Sequence, residues 1–165
     1  MCYNDDISYI DPSERVGEAM HISIRKMTEG DFESLYGLLS DPRVMEYLEP
    51  PYTREKAWQF LATAGLSDPP LIYSVEHEGN FAGYVIYHDY DDSGVEIGWV
   101  LRPEYWRKGL ASRLTEQLIQ RGLSSNRQLV IECSPKQEIT RHIARKYGFN
   151  YEGNVDGLDV FRLKK

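Results

Sequence analysis

A basic turn that contains a glycine, residues 105–111 (YWRKGLA), constrains the fold of this chain more than any other segment. It separates an alternating apolar run, residues 95–101, from a segment with leucines at helical spacing. The pattern therefore predicts a strand that turns directly into a helix. A helix start carries partial positive charge and favours acidic residues, yet this one receives Arg107, Lys108 and Gly109. Together these three residues disfavour the helix by about 1–2 kcal/mol.

An anion bound to the free N–H groups of this turn removes that penalty. A glycine also lets phosphate oxygens approach the backbone closely. Locally unfavourable residues are typical of functional sites, because the site needs them for another purpose. The sequence therefore predicts a phosphate-binding turn. The alternative is a solvated basic turn with an incidental glycine.

The composition limits the class of protein. With 165 residues, 41% of them hydrophobic, the chain suits one globular domain with a single core. A formal charge of −7 argues against a nucleic-acid partner and fits a cationic partner such as an amine, although an ordinary soluble protein can carry the same charge. Cys2 and Cys133 imply no disulfide framework, and no apolar stretch is long enough to span a membrane. We expect a cytoplasmic protein.

The hydrophobic periodicity predicts a mixed α/β sheet in the order βαα-βββ-α-β-α-ββ. Residues 1–20 are expected to form an N-terminal extension and residues 21–165 a single domain. The predicted strands are residues 21–26, 71–76, 81–88, 95–101, 128–133, 149–152 and 158–163. The first three strands after the opening helices form an antiparallel meander, and a parallel crossover follows later.

Four helices are predicted between these strands. The first opens at Thr28 to Asp31 and stops at the Asp41-Pro42 pair, and the second begins near Thr53. The third follows the basic turn, and the last covers residues 137–147 with Gly148 as a left-handed cap. The apolar face of the last helix is predicted to carry Ile139, Ile143 and Tyr147.

Three segments resemble the GNAT superfamily of N-acetyltransferases: SDPRVMEYL at residues 40–48, EIGWVLRPEYWRKGLA at 96–111 and KYGF at 146–149. The resemblance covers about residues 21–163. More narrowly, the chain is similar to the branch that includes acetyltransferases of ribosomal-protein N-termini. The middle segment is specific, because the family's phosphate loop has the form Gln/Arg-x-x-Gly-x-Gly/Ala. Gly109 and Ala111 match that form, with Trp106 in the first position.

The resemblance implies acetyl-CoA as the acetyl donor and no metal. Backbone N–H groups of the turn would cradle the pyrophosphate, with the helix dipole behind them. In the family, the strand before the turn is splayed from its parallel neighbour at the cofactor cleft, so that its backbone can pair with the pantetheine arm. The implied cofactor-binding residues are Trp99, Val100, Leu101, Arg107, Lys108, Gly109, Leu110, Ala111, Ser112 and Gln137.

Acetyl transfer to an amine needs a base, because an ammonium nitrogen cannot attack a thioester. At neutral pH a lysine-like amine costs about 4–5 kcal/mol to deprotonate, whereas an α-amine costs about 1 kcal/mol. Some family members use a glutamate at the position of Glu132 as the base, and others use one on the earlier strand, where Glu96 lies. The alternative for each is a solvated or salt-bridged carboxylate.

The usual general acid of the family is missing. Many members carry an asparagine near the start of the last helix and, seven residues later, a tyrosine that protonates the departing thiolate. Gln137 and Ala144 occupy these positions. The acid is therefore absent, supplied by another group such as Tyr147, or unnecessary.

These features together indicate an N-acetyltransferase that moves acetyl from acetyl-CoA to a primary amine by direct attack in a ternary complex. The acceptor is a protein N-terminus or a small amine such as a polyamine, amino acid or aminoglycoside. Residues 47–52, the following helix and the closing hairpin are expected to build its pocket. A non-catalytic acyl-CoA binding or sensing module and a plain nucleotide-binding domain are the alternatives. We expect a monomer or homodimer without a nucleic-acid or membrane partner.

Overall fold

The computed structural model describes residues 21–164, and the expected extension at residues 1–20 lies outside the described residues. The strands are β1 (Ile22–Arg25), β2 (Ile72–His77), β3 (Asn80–Asp89), β4 (Gly94–Leu101), β5 (Gln128–Cys133), β6 (Asn150–Val155) and β7 (Leu158–Leu163). The α-helices are α1 (Phe32–Leu39), α2 (Pro42–Met45), α3 (Arg54–Phe60), α4 (Leu110–Ser124) and α5 (Glu138–Lys146). A π-helical turn, Leu61–Gly65, extends α3.

Within this range the strands form one mixed sheet in the order β1-β2-β3-β4-β5-β7-β6. Only β4 and β5 run parallel, and all other neighbours are antiparallel. The mixed α/β fold predicted from the sequence is confirmed, and the element order agrees except for one additional short helix, α2. No helix among residues 21–164 is long and apolar enough to cross a membrane.

The parallel ladder between β4 and β5 is short. Its last pair joins Glu96 to Val130, whereas β4 runs on to Leu101 and β5 to Cys133. Beyond that pair the two strands are not hydrogen-bonded to each other. We call the opening between residues 97–101 and 131–133 the cleft.

Apolar side chains cover both faces of the sheet. On one face, which we call the α4 face, Ile97 of β4 and Ile131 of β5 pack with Leu114 of α4. On the opposite face, the α1 face, Val100 of β4 packs with Leu35 of α1. Because side chains alternate along a strand, even-numbered residues of β4 and β5 lie on the α1 face, and odd-numbered residues lie on the α4 face.

The Asp41-Pro42 pair differs from its prediction as a simple helix stop. Asp41 Oδ1 accepts a hydrogen bond from Arg43 N–H (2.9 Å), so Asp41 caps the four-residue helix α2. Proline is favoured in the first helical turn, where its missing N–H costs nothing. The pair therefore ends one helix and begins another.

The predicted apolar face of α5 is wrong at one residue. Ile143 and Ala144 are buried, but Ile139 is 71% exposed. Ile139 lies in the first turn of α5 and belongs to neither core cluster of the described residues. The predicted left-handed cap is confirmed, because Gly148 has φ 83° and donates to Arg145 O.

Candidate active site

The basic turn joins the open end of β4 to the start of α4. One 3-10 turn, Pro103–Tyr105, follows β4, and α4 begins at Leu110. Arg107 (φ 59°) and Gly109 (φ 81°) both adopt the left-handed conformation. Left-handed residues at close spacing are typical of the backbone concavities that bind anions. The sequence placed Gly109 inside the first helical turn, and this is wrong, because Gly109 immediately precedes the helix. Its positive φ is a reason for glycine in addition to the close approach of a phosphate.

Free donors surround this turn. The first backbone hydrogen bond of α4 is donated by Arg113 N–H to Gly109 O (3.1 Å), so the preceding N–H groups have no helical acceptor. These groups belong to Leu110, Ala111 and Ser112. Arg107 and Lys108 are exposed, and neither forms an ion pair with any residue in the described part of the chain. The turn therefore offers a cluster of unpaired donors and two uncompensated positive charges at a helix N-terminus.

Trp106 fixes the turn to β4. Its indole Nε1–H donates to Leu101 O at 2.9 Å, while 43% of the residue stays exposed. Trp106 was expected only to match the first position of the loop, and this anchoring contact was not predicted from the sequence. The sequence does carry a signal for this contact: a tryptophan, which is an N–H donor, lies five residues after the end of an apolar strand. The last carbonyl of that strand needs a hydrogen-bond donor where the strand pairing ends.

The backbone of β4 turns alternate residues toward the cleft. Arg102 N–H donates to Ala82 O of β3 (2.8 Å), and Val100 pairs with Tyr84 in the same register. Hydrogen-bonded and non-bonded pairs alternate along an antiparallel ladder, so the backbone of Val100 also faces β3. The groups that face the cleft belong to Trp99 and Leu101.

This placement separates the three β4 residues that were expected to bind the cofactor. Trp99 N–H and C=O and Leu101 N–H are directed at the cleft, whereas Leu101 O is occupied by Trp106. Val100 has no backbone group toward the cleft, and its side chain packs on the α1 face. The structure therefore does not support the expected backbone role of Val100.

Gln137 lies across the cleft from β4, at the residue preceding α5. Its Oε1 accepts a hydrogen bond from Ser134 N–H (2.8 Å), which follows the last residue of β5. Its amino group, Nε2, is the side that remains to donate to a ligand. The predicted residue is therefore oriented by the end of β5.

The two candidate glutamates lie on the α1 face, close to the cleft. Glu96 Oε2 is 3.2 Å from His88 Nε2, and Glu132 Oε1 accepts a hydrogen bond from Tyr90 O–H (2.8 Å). The hydrogen bond to Glu132 raises the pKa of Tyr90 to about 12, and the charge of Glu96 adds to the effect. The structure thus brings both carboxylates to the same tyrosine. In the described range, no group of three His, Cys, Asp or Glu side chains is placed to hold a metal ion.

Ala144 occupies the position at which many members of the GNAT superfamily carry the general acid. Ala144 is fully buried in the core of the α4 face. Tyr147 O–H donates to Glu116 Oε1 of α4 at 2.8 Å. Burial and this hydrogen bond raise the pKa of Tyr147. Its hydroxyl is therefore already engaged and is a poor proton donor.

Known proteins share this architecture. A family profile described as the acetyltransferase (GNAT) domain matches residues 21–150. The uncharacterized N-acetyltransferase YnaD of Bacillus subtilis (strain 168) is 27% identical over 144 residues, which cover 81% of this chain and 85% of that protein.

Solved structures agree with the family match. RimL, the ribosomal L7/L12 alpha-N-protein acetyltransferase, in complex with coenzyme A, superposes with a TM-score of 0.73 at 16% identity, covering 87% of this chain and 93% of that one. The spermidine N-acetyltransferase of Vibrio cholerae in complex with CoA and spermine gives 0.70 at 21% identity, covering 86% and 92%. The profile match spans most of the chain, and the fold and the open β4 edge agree with it, so the chain belongs to the GNAT family of acetyltransferases.

Proposed function

We propose that this protein transfers the acetyl group of acetyl-CoA to a primary amine by direct attack within a ternary complex. The observation that carries the proposal is a continuous line of unpaired donors. It starts with the open backbone at Trp99 and Leu101, continues through the left-handed turn at residues 107–109, and ends at the first N–H groups of α4.

This line matches the chemistry of acetyl-CoA. The pyrophosphate needs several N–H donors and positive charge, which the turn, Arg107 and Lys108 supply. The pantetheine arm carries two amides, which need a strand-like backbone partner, and Trp99 presents one at the cleft. Gln137 Nε2 supplies a further donor from the opposite wall. RimL and the spermidine acetyltransferase, which share the fold, bind CoA.

The acceptor amine is proposed to enter from the α1 face, because both candidate carboxylates lie there. The negative charge of these two carboxylates attracts an amine in its protonated, cationic form. A protein N-terminus and a small polyamine both fit this chemistry, and the two similar structures act on one of each. A non-catalytic acyl-CoA binding module is the second candidate, and the buried Ala144 in place of the acid favours it.

A combined binding and transfer assay tests the proposal. Acetyl-CoA affinity is measured by calorimetry, and CoA release is followed with a thiol reagent. The acceptors are short peptides with free N-termini, polyamines, amino acids and aminoglycosides. Binding of acetyl-CoA together with CoA release in the presence of at least one amine class supports the proposed enzymatic function. Binding without release for every amine would favour the sensing module, and absence of binding would refute the phosphate-turn assignment.

A further inference from the structure

His88 and Glu96 form a pair that requires a proton between them. The two residues face each other directly across β3 and β4, with 3.2 Å between His88 Nε2 and Glu96 Oε2. His88 Nδ1 lies 2.9 Å from the carbonyl oxygen of Asp89. A carbonyl oxygen only accepts hydrogen bonds, so Nδ1 must carry hydrogen. Without a further proton, the lone pair of Nε2 would then face a carboxylate.

One proton resolves this conflict in either of two ways. It makes His88 an imidazolium beside a carboxylate, or it makes Glu96 a carboxylic acid that donates to neutral imidazole. Water screens the interaction between the two groups only weakly, because the side chains of His88 and Glu96 are only 28% and 18% exposed. In agreement with the geometry, the hydrogen bond to Glu96 raises the pKa of His88.

No neighbouring group among residues 21–164 supplies the missing proton. The other titratable or charged groups around the pair are Tyr90, Asp89, Glu132, Arg127 and Arg162. Tyr90 donates its hydrogen to Glu132. Arg127 is paired with Asp89 at 2.9 Å, and Arg162 is held by carboxylates of the β3–β4 loop and of β6. The proton shared by His88 and Glu96 must therefore come from solvent or from a substrate.

We propose that His88 is a positioning residue that makes Glu96, rather than Glu132, the base for the acceptor amine. The proposal rests on the acetyl transfer proposed above. An unprotonated pair is a stronger base than an isolated glutamate, because protonation relieves the facing lone pairs. A base works best when its pKa lies near the working pH. Glu132 has a different partner, because its Oε1 accepts a hydrogen bond from Tyr90 O–H, and no two lone pairs face each other there.

The proton balance of the reaction is simple. The unprotonated pair accepts one proton from the ammonium group of the acceptor. The freed nitrogen bonds to the thioester carbonyl carbon while the C–S bond breaks and sulfur keeps its electron pair. The second nitrogen proton goes to that sulfur, giving an amide and free CoA. The pair then returns its proton to water.

The first test needs no activity. In the full chain without substrates, imidazole ¹⁵N–¹H spectra should show hydrogen on Nδ1 of neutral His88. Glu96→Gln should lower the pKa of His88 by about 1 or more, because the opposite charge is lost. The signals of His142, exposed on α5, should not move between the two proteins. A His88 pKa that is unchanged by Glu96→Gln would overturn the proposed pair.

The second test compares pH profiles of kcat with one acceptor, so that the ionisation of the amine is common to all variants. His88→Gln should move the midpoint of the acid limb of the kcat profile down by about 2 pH units, toward the value for an isolated glutamate. It should also lower the plateau value of kcat about tenfold. Glu96→Gln should lower kcat about 100-fold or more, whereas Glu132→Gln should keep the limb in place. His142→Gln serves as the matched control and should leave the profile unchanged.

The two proposals fail in different ways. An active enzyme whose acid limb is the same in His88→Gln as in the wild type refutes the role of His88 and leaves acetyl transfer standing. Equal, small effects of Glu96→Gln and Glu132→Gln also refute it and point to water or to the substrate as the base. Binding of acetyl-CoA without transfer to any amine refutes the catalytic function, whereas the spectra still decide whether the pair exists.

Discussion

Gly109 combines two demands that few single residues meet. Its φ of 81° disfavours any side chain, and its backbone lies where the proposed pyrophosphate would bind. Alanine at such a φ costs about 1–2 kcal/mol. Gly79 offers a matched control, because it has φ 76° in the β2–β3 turn and a Cβ there would meet nothing within 4 Å.

We therefore expect Gly109→Ala and Gly79→Ala to lose similar stability in thermal unfolding. Only Gly109→Ala should lose acetyl-CoA affinity, by about tenfold or more, because the added methyl group keeps the phosphate from the backbone. Calorimetric titration of both folded variants checks this. Equal affinities in the two variants would contradict the phosphate-turn assignment.

Tyr147 allows a prediction about the leaving group. A departing thiolate with a pKa near 8.5 lies about one to two units above cellular pH, so its protonation is worth about 1–3 kcal/mol at most. The Tyr147 hydroxyl is moreover bound to Glu116. Tyr147→Phe should therefore leave the pH profile of kcat/KM nearly unchanged, with one rising limb and a level plateau. A falling limb at high pH that is present in the wild type and disappears in the variant would identify Tyr147 as the acid.

At the scale of elements, the junction of β4 with the basic turn depends on one side-chain hydrogen bond. Trp106→Phe keeps an aromatic ring but leaves Leu101 O without its donor. A neutral hydrogen bond is worth about 1 kcal/mol, so we expect the KM for acetyl-CoA to rise about fivefold with kcat little changed. Trp58→Phe on α3 is the control, because Trp58 is equally exposed, at 42%. The KM for acetyl-CoA is measured with saturating acceptor, so that a change in the acceptor pocket does not affect the comparison. Steady-state kinetics that show the same change in both variants would contradict the anchoring role.

Strands were easier to predict from the sequence than short helices. The bounds of β5 and β7 match their predictions to the residue, because turn residues bound β5 on both sides and directly precede β7. Helix α2 was missed, since four residues are too few to show a helical period. Ile139 was misplaced because periodicity gives the face of a helix but not where the partner surface ends.

The candidate site could also be predicted only in part from the sequence. The turn and both glutamates were visible as residues at characteristic spacing. The contact of His88 with Glu96 was not, because it depends on the register of β3 against β4 across the Asp89–Gly94 loop. The different orientation of Val100 also depends on that register. Patterns along one strand do not contain information about its neighbour.

At the scale of the whole molecule, the core of the α4 face holds the cleft open. Val85 of β3, Ile97 of β4 and Ile131 of β5 belong to one cluster that crosses the parted strands. Helix α4 packs over this cluster with Leu114 and Leu118. The shared core therefore holds together strands that lack mutual hydrogen bonds at the cleft.

The other face is tied to the sheet by Asp31, which joins the start of α1 to β1. Asp31 is 7% exposed and accepts hydrogen bonds from Arg25 Nη1 and Nη2 and from Thr28 N–H, each at 2.8 Å. Burial alone would raise the pKa of Asp31, but the hydrogen bonds from Arg25 and Thr28 outweigh it, and the pKa is lowered. A carboxyl group with a lowered pKa stabilises the fold above its unfolded-state pKa, and the contribution is lost as pH falls through the folded-state value.

Asp31→Asn should therefore lower the free energy of unfolding by about 1–3 kcal/mol at pH 7, because Glu76 is then the one ionic partner left to Arg25 in the described part of the chain. The difference from the wild type should persist from pH 8 to about pH 5 and shrink below about pH 4. Asp41→Asn is the control, since asparagine caps a helix as well as aspartate does and the Asp41–Arg43 pair lies at the surface. Urea unfolding at several pH values measures both variants. A stability difference for Asp31→Asn that stays constant down to pH 3 would place its origin in packing rather than in the carboxylate charge.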